Sequence, residues 1–294
     1  MKNILFLFCL ILFSVNQVFC ESIKIEEILR DEFDYSNFNG FSEYIPFSIS
    51  SDGRSIVKNG KEKTENINVL FTEDYDIIEC VYNANNQLLV YTYGTGSVSV
   101  PAIYNINNNN KTILMDILYD GGNEIVFRIV RNIAWKDNER ILYSVYDIDT
   151  GLSHVKVYNI NTKHIEYYFS GRNITLCDYN PITKQMLFDE SIGKEIKFYL
   201  YDFNKKTKLN VLSSEYSDGY VLSNDRVLGI ITKNSSNTGN SFITINHKDD
   251  VIFKKESLDN IIGGYEYDHY LNILVLLVED NQNKRFITVL KILE

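Results

Sequence analysis

A chain of 294 residues with 29 Lys and Arg against 39 Asp and Glu carries a formal net charge of −10. That balance argues against nucleic acid as a partner and against charge-driven docking on anionic lipid. Three alanines among many Ile, Val, Tyr and Phe disfavour a helical protein, and four cysteines exclude a disulfide-dense scaffold.

Lys2 is followed by an almost wholly apolar run over 4–15. A spanning helix needs about 20 apolar residues, whereas this run has the length of a signal-peptide core. Val18 and Cys20 take the small-residue places of a cleavage before Glu21, so residues 1–20 read as a signal peptide and the product as secreted or periplasmic. An uncleaved anchor and a lipidated Cys20 are the competing readings. Cleavage leaves 274 residues with a net charge of −11. Residues 22–29, SIKIEEIL, then form a spare strand, or alternatively a short amphipathic helix.

From residue 44 onward the chain repeats itself. One unit is strand, polar turn, apolar strand: IIECVYNANNQLLVYTY from Ile77 and ITLCDYNPITKQMLFDE from Ile174, with looser copies from Phe47, Ile133, Tyr220 and Gly264. A second unit of two alternating strands follows it, from Ala102, Val155, Phe198 and Phe242. The apolar second strands are marked by Ile56, Leu88, Ile141, Met186, Val227 and Ile273, at intervals of 32, 53, 45, 41 and 46 residues. Propeller blades recur at about 40–50 residues. The reading is all-β: a six-bladed β-propeller of four-stranded antiparallel blades, at approximately 44–72, 76–117, 124–170, 173–213, 219–256 and 261–294 plus 22–29. The first blade is short, the N-terminal strand closes the ring, and 21–294 form a single domain. A two-layer sandwich and an open solenoid are the alternatives.

SISSDGRSIV over 48–57 resembles the strand–turn–strand signature of TolB-like six-bladed propellers, in which a Ser-x-Asp-Gly turn precedes an apolar strand. The sequences ending at Tyr158 and Tyr201 look similar to the blade endings there. The resemblance implies an exported domain that binds other proteins. The Ser-x-Asp-Gly pattern occurs once, with Asp52-Gly53; the corresponding turns of the other repeats carry Asn, Asp or Lys.

Catalytic motifs are hard to find. GTGSVS from Gly94 lacks the last glycine of a nucleophile elbow, and no helix with a Walker lysine follows Gly94-Thr95-Gly96. His154, His164, His247 and His269 do not pair at metal-ligand spacing. Asp147-Ile148-Asp149-Thr150-Gly151 starts like a calcium loop but lacks its later ligands. Tyr104, Tyr158 and Tyr201 read as packing between blades rather than as a glycan platform. Cys80 and Cys177 hold equivalent places two blades apart, too far for a disulfide. Asn110, Asn173 and Asn234 begin glycosylation sequons, which matter if the source is eukaryotic.

The leading expectation is therefore a non-catalytic exported propeller that binds a protein or peptide, with no resident cofactor or metal. Its binding face is expected to be an acidic mouth bearing Asp147, Asp149, Asp189, Glu190, Glu279 and Asp280, which would draw a cationic partner. The alternatives are a calcium-dependent hydrolase or lyase with its site at the central channel, and a carbohydrate-binding propeller.

Overall fold

The structure, a computed structural model, describes residues 23–32, 45–61, 68–95, 98–119, 128–148, 150–192, 195–223, 225–232, 234, 240–248, 250–257 and 259–293. These residues form six antiparallel sheets arranged as the blades of a propeller. Blade 1 comprises β2 (Phe47–Ile49), β3 (Ser55–Lys58) and β4 (Asn68–Thr72). Blade 2 comprises β5 (Asp76–Asn83), β6 (Leu88–Thr95), β7 (Val98–Asn105) and β8 (Asn110–Ile113), followed by the short helix α1 (Met115–Tyr119). Blade 3 is β9 (Arg128–Trp135), β10 (Arg140–Asp147), β11 (Leu152–Asn159) and β12 (Ile165–Gly171). Blade 4 is β13 (Ile174–Asn180), β14 (Gln185–Ile192), β15 (Glu195–Asp202) and β16 (Thr207–Leu212). Blade 5 is β17 (Asp218–Val221), β18 (Arg226–Ile231), β19 (Phe242–His247) and β20 (Asp250–Glu256). Blade 6 takes β21 (Asn260–Asp268), β22 (Ile273–Glu279) and β23 (Arg285–Leu293), and β1 (Lys24–Glu32) pairs with β23 as its outermost strand.

The N-terminal segment is thus a strand, and it closes the ring as the residue pattern foretold. An outer strand left as a bare sheet edge would expose unpaired N–H and C=O groups, and β1 removes that edge from β23. Six apolar clusters occupy the six seams between neighbouring blades. The core is therefore a set of radial layers, one per seam, as sheets buried on both faces demand. Tyr104 and Tyr158 are buried in these seams, and Tyr201 meets Tyr168 and Phe169 edge-on.

The Asn- and Asp-rich turns have a common construction. Asn83, Asn105, Asn159, Asn180, Asp202 and Asp268 each end a strand and accept the N–H two residues on, at 2.8–3.0 Å. Four residues after each, the chain passes through left-handed φ, at Gln87, Asn109, Lys163, Lys184, Lys206 and Asn272. Short Asn and Asp side chains suit the first place because they mimic a backbone turn. Lysine in the second place is strained by about 1 kcal/mol. Replacing exposed Lys184 with Gly should therefore raise stability by roughly 0.5–1 kcal/mol, read as a higher urea midpoint at unchanged slope.

Blade 1 departs from the repeat phase expected of it. Ile77 N at the start of β5 donates to Gly53 O at 2.7 Å, and Glu73 N donates to Arg54 O at 2.8 Å. At the other end of β2, Phe47 packs on Tyr82 near the end of β5, with ring centroids 4.7 Å apart. So β2 runs against β5, and β4 leads into the inner strand of blade 2 as an outermost strand does elsewhere. Ile56 is therefore on a third strand, not a second, which is why the interval from it to Leu88 was the shortest. The Asp52-Gly53 turn, with Gly53 at φ +74°, lies on the face where blades connect. Residues 33–44, just ahead of this blade, lie outside the described residues.

Candidate functional site

The innermost strand of a propeller blade is an edge whose outward backbone groups must be satisfied without a further strand. Side chains of neighbouring blades do this. Glu79 on β5 accepts the N–H of Ile133 on β9 at 3.0 Å, and Trp135 Nε1 donates to Val81 O at 3.0 Å. Ser99 Oγ both accepts from Val130 N at 2.6 Å and donates to Val130 O at 2.8 Å. Asp178 on β13 accepts the N–H of Val221 on β17 at 2.7 Å, and Asn180 donates to Val221 O at 3.2 Å. Ser241 Oγ accepts from Ile261 N on β21 at 3.0 Å.

Carboxyls on these inner strands therefore face the lumen and its seams. Glu79, Asp178, Asp218 and Glu266 come from blades 2, 4, 5 and 6. Among the described residues no lysine or arginine pairs with any of them. Asp218 accepts from Gly219 N at 2.8 Å and from the Tyr220 hydroxyl at 3.1 Å. Glu266 keeps an exposed carboxyl that is nonetheless crowded by protein, the setting of a narrow lumen. Loss of hydration pushes the carboxyls of Glu79 and Glu266 up to about 7 and that of Asp218 to about 6. Asp189, on β14 behind Cys177, is raised to about 6 for the same reason. The groups share one field. Burial, then the charges of Asp218, Asp178 and Glu266, hold the Tyr220 hydroxyl well above its usual range. Burial, then Glu266 and Glu79, pushes the Cys80 thiol to about 12. Cys80 and Cys177 are both free thiols, and burial raises both, which disfavours the thiolate form.

β-Bulges shape one mouth of this lumen. Register shifts between Ile77 and Glu79 and between Ile261 and Gly263 push Ile78 and Ile262 out of their sheets. Ile77 and Ile261 beside them are buried, whereas Ile78 and Ile262 are 49% and 38% exposed. With Tyr75, also exposed, they place apolar surface on the blades flanking blade 1, ahead of the carboxyls.

The acids expected on the rim are placed differently from one another. Asp189 and Glu190 lie within β14, opposite Thr175 and Ile174, and not in a loop. Glu190 is paired with Lys208 at 3.4 Å and Glu279 with Arg285 at 3.4 Å. Asp147 is buried and accepts from Thr150 N at 3.2 Å, while Asp280 caps its own turn through Gln282 N at 2.7 Å. Asp149 lies outside the described residues. Asp116, on α1, points to the opposite face, where it accepts from Tyr158 OH at 3.0 Å and meets Lys163 at 3.8 Å. Local hydrogen bonding spends Asp147 and Asp280 on turns and ion pairs hold Glu190 and Glu279, uses that a count of charges per loop does not reveal. Glu79, Asp178 and Glu266 went unnoticed because each is one polar letter in an alternating strand, and Asp218 was expected on the acidic side as part of a connection between blades rather than of the inner strand it begins. Asn110, Asn173 and Asn234 are all exposed.

Among the described residues no three His, Cys, Asp or Glu side chains converge where a metal ion could be held. An open polar groove of about 570 Å³ lies elsewhere, at the turns of blade 3, lined by Asp137, Arg140, Asn159, His164 and Glu166. Arg140 is committed there to Asp137.

No family model matches the chain, and no curated protein matches it in sequence. Solved structures match it in fold. TolB from Acinetobacter baumannii is 11% identical with a TM-score of 0.51, over 80% of this chain and 59% of that one, so the chain spans about three-fifths of that TolB. A chain of a nidogen–laminin complex is 10% identical with a TM-score of 0.53, over 84% and 96%. An oligogalacturonate lyase in complex with manganese is 9% identical with a TM-score of 0.55, over 84% and 74%. The protein is a six-bladed propeller of TolB-like fold. Its neighbours in fold differ in function, and at these identities the likeness is one of architecture.

Proposed function

We propose that this protein is an exported, non-catalytic binding module whose partner is a protein or peptide segment carrying positive charge. The segment is received at the lumen mouth rather than on the turn acids of the rim. The observation that carries this reading is the set of inner-strand carboxyls, Glu79, Asp218 and Glu266, unmatched by any lysine or arginine among the described residues and preceded by exposed Ile78 and Ile262. A cluster of carboxyls in an enclosed throat focuses a negative field and favours a basic side chain, and exposed Ile78 and Ile262 suit a hydrophobic flank; the side chains of Arg128 and Arg131, on the inner strand of blade 3, lie outside the described ones. A similar chain in a complex of two proteins supports a binding role for the fold. Export rests on the apolar leader at 4–15.

The test is fluorescence anisotropy with a labelled nonapeptide of alternating Lys and Leu, at 50 and 300 mM salt (about 14 and 6 Å screening lengths). Affinity should fall at least about tenfold in Glu79→Gln/Asp218→Asn/Glu266→Gln, with the salt dependence reduced. Equal affinity and equal salt dependence in the variant would reject the lumen as the binding site.

A further inference from the structure

His269 stands on the turn after β21, and its Nε2 lies 3.1 Å from Oδ1 of Asp178 on β13, two blades away. The other oxygen of that carboxylate accepts the N–H of Val221, on the intervening strand β17, at 2.7 Å. One carboxylate thus ties together the inner strands of three successive blades. His269 and Asp178 are only 9% and 14% exposed. The imidazole sits edge-on against Tyr267 at 5.0 Å, and Tyr267 packs on Tyr220 at 5.8 Å. The charged groups acting on the imidazole are Asp178 from β13 and Asp268 at the end of its own strand. From β17, Tyr220 and Asp218 share the same field.

We propose that this contact is a proton-controlled clasp, in which a charged His269 locks the inner strands of blades 4, 5 and 6 together and a neutral His269 loosens them. A charge-assisted hydrogen bond is roughly twice as strong as a neutral one, and enclosure strengthens it further. Burial works against the charged ring, but the charge of Asp178 and the hydrogen bond to it outweigh burial. His269 therefore holds its proton above the ordinary histidine range. With the folded value raised, the clasp is complete below the unfolded value of about 6.5 and is lost as pH rises through the folded value. This inference does not depend on what the lumen binds.

The Val221 amide reports on the clasp directly, and the Val130 amide, held by the non-titrating Ser99 hydroxyl, is its internal reference. Native-state hydrogen exchange, corrected for intrinsic rates, should be followed by NMR from pH 5.5 to 8.5. The protection of Val221 relative to Val130 should drop about tenfold or more across that range in the native protein. In His269→Gln the ratio should be low and independent of pH. A wild-type ratio that does not change with pH would overturn the proposal. So would a His269→Gln protein that keeps the wild-type pH dependence.

Discussion

Deleting residues 23–32 should lower Tm by at least about 10 °C, the largest effect expected of any short deletion outside the inner strands. β1 pairs with β23 from Lys24↔Leu293 to Glu32↔Phe286, with a bulge between Glu27 and Leu29. The bulge matters because it turns the strand over. Ile25, 6% exposed, packs with Leu290 and Ile292 in the seam of blades 5 and 6, whereas Leu29 packs with Ile287 and Val289 on the other side. Lys255 of blade 5 donates to Ile25 O at 3.1 Å, and Arg30 pairs with Asp259 while lying 4.3 Å over the Phe286 ring. Burial of the two apolar side chains alone is worth about 3–4 kcal/mol. Removing the strand also exposes β23 as an open edge. Differential scanning calorimetry checks this, with Ile28→Asp as the control. Ile28, at the bulge, is 44% exposed, and its replacement should change stability by less than about 0.5 kcal/mol. An unchanged Tm on deletion would show that the ring does not depend on this strand.

Tm should also fall as pH rises from 5 to 8, by roughly 5–10 °C. Glu79 and Glu266, at about 7, and Asp189 and Asp218, at about 6, are all raised by burial above the value of about 4 they have when unfolded. The folded state holds these protons more tightly than the unfolded state. The stability they contribute is thus fully present below about pH 4 and is lost as pH climbs through 6 to 7. Asp137 and Asp202 are lowered, by Arg140 and by Lys205 with nearby amides, against a burial that opposes them. Their contribution is lost only in stronger acid, so it does not mask the effect in this window. Since Glu266 is exposed to lumen water and the others are partly so, the shifts are discounted to about 2–4 kcal/mol in all. Calorimetry at pH 5, 6, 7 and 8 measures the slope, and Asp218→Asn/Glu266→Gln should flatten it. A native Tm that is level or rising over that range would mean that the lumen carboxyls are ordinarily hydrated.

Much of the architecture was legible before any coordinates. Period-two alternation with an apolar second strand in each repeat announced six sheets, because a strand buried on both faces has few residue types open to it. The missing last strand of the sixth repeat, set beside the spare segment at 22–29, pointed to closure by β1. Blade 1 was misphased because its Ser-x-Asp-Gly turn looks the same on either face, and a three-residue strand such as β2 offers almost no pattern to orient it. α1 went unseen because a five-residue helix is too short for a helical period to show.

The amino-acid sequence by itself determined the blade count, the turn positions and the strand that closes the ring, since those follow from local alternation, from Asx turns and from the need to cover an edge. Which acids matter was decided only by the tertiary structure. Asp189 and Glu279 look alike in the sequence, yet one lies half-buried behind Cys177 and the other is paired with Arg285. Asp178 reads as a polar letter in a strand, and it becomes the joint of three blades only because folding brings Val221 and His269 to its two oxygens. Hydration and partnership set the chemistry of a carboxyl, and both are properties of the space around it, assembled from strands 40 to 90 residues apart in the chain.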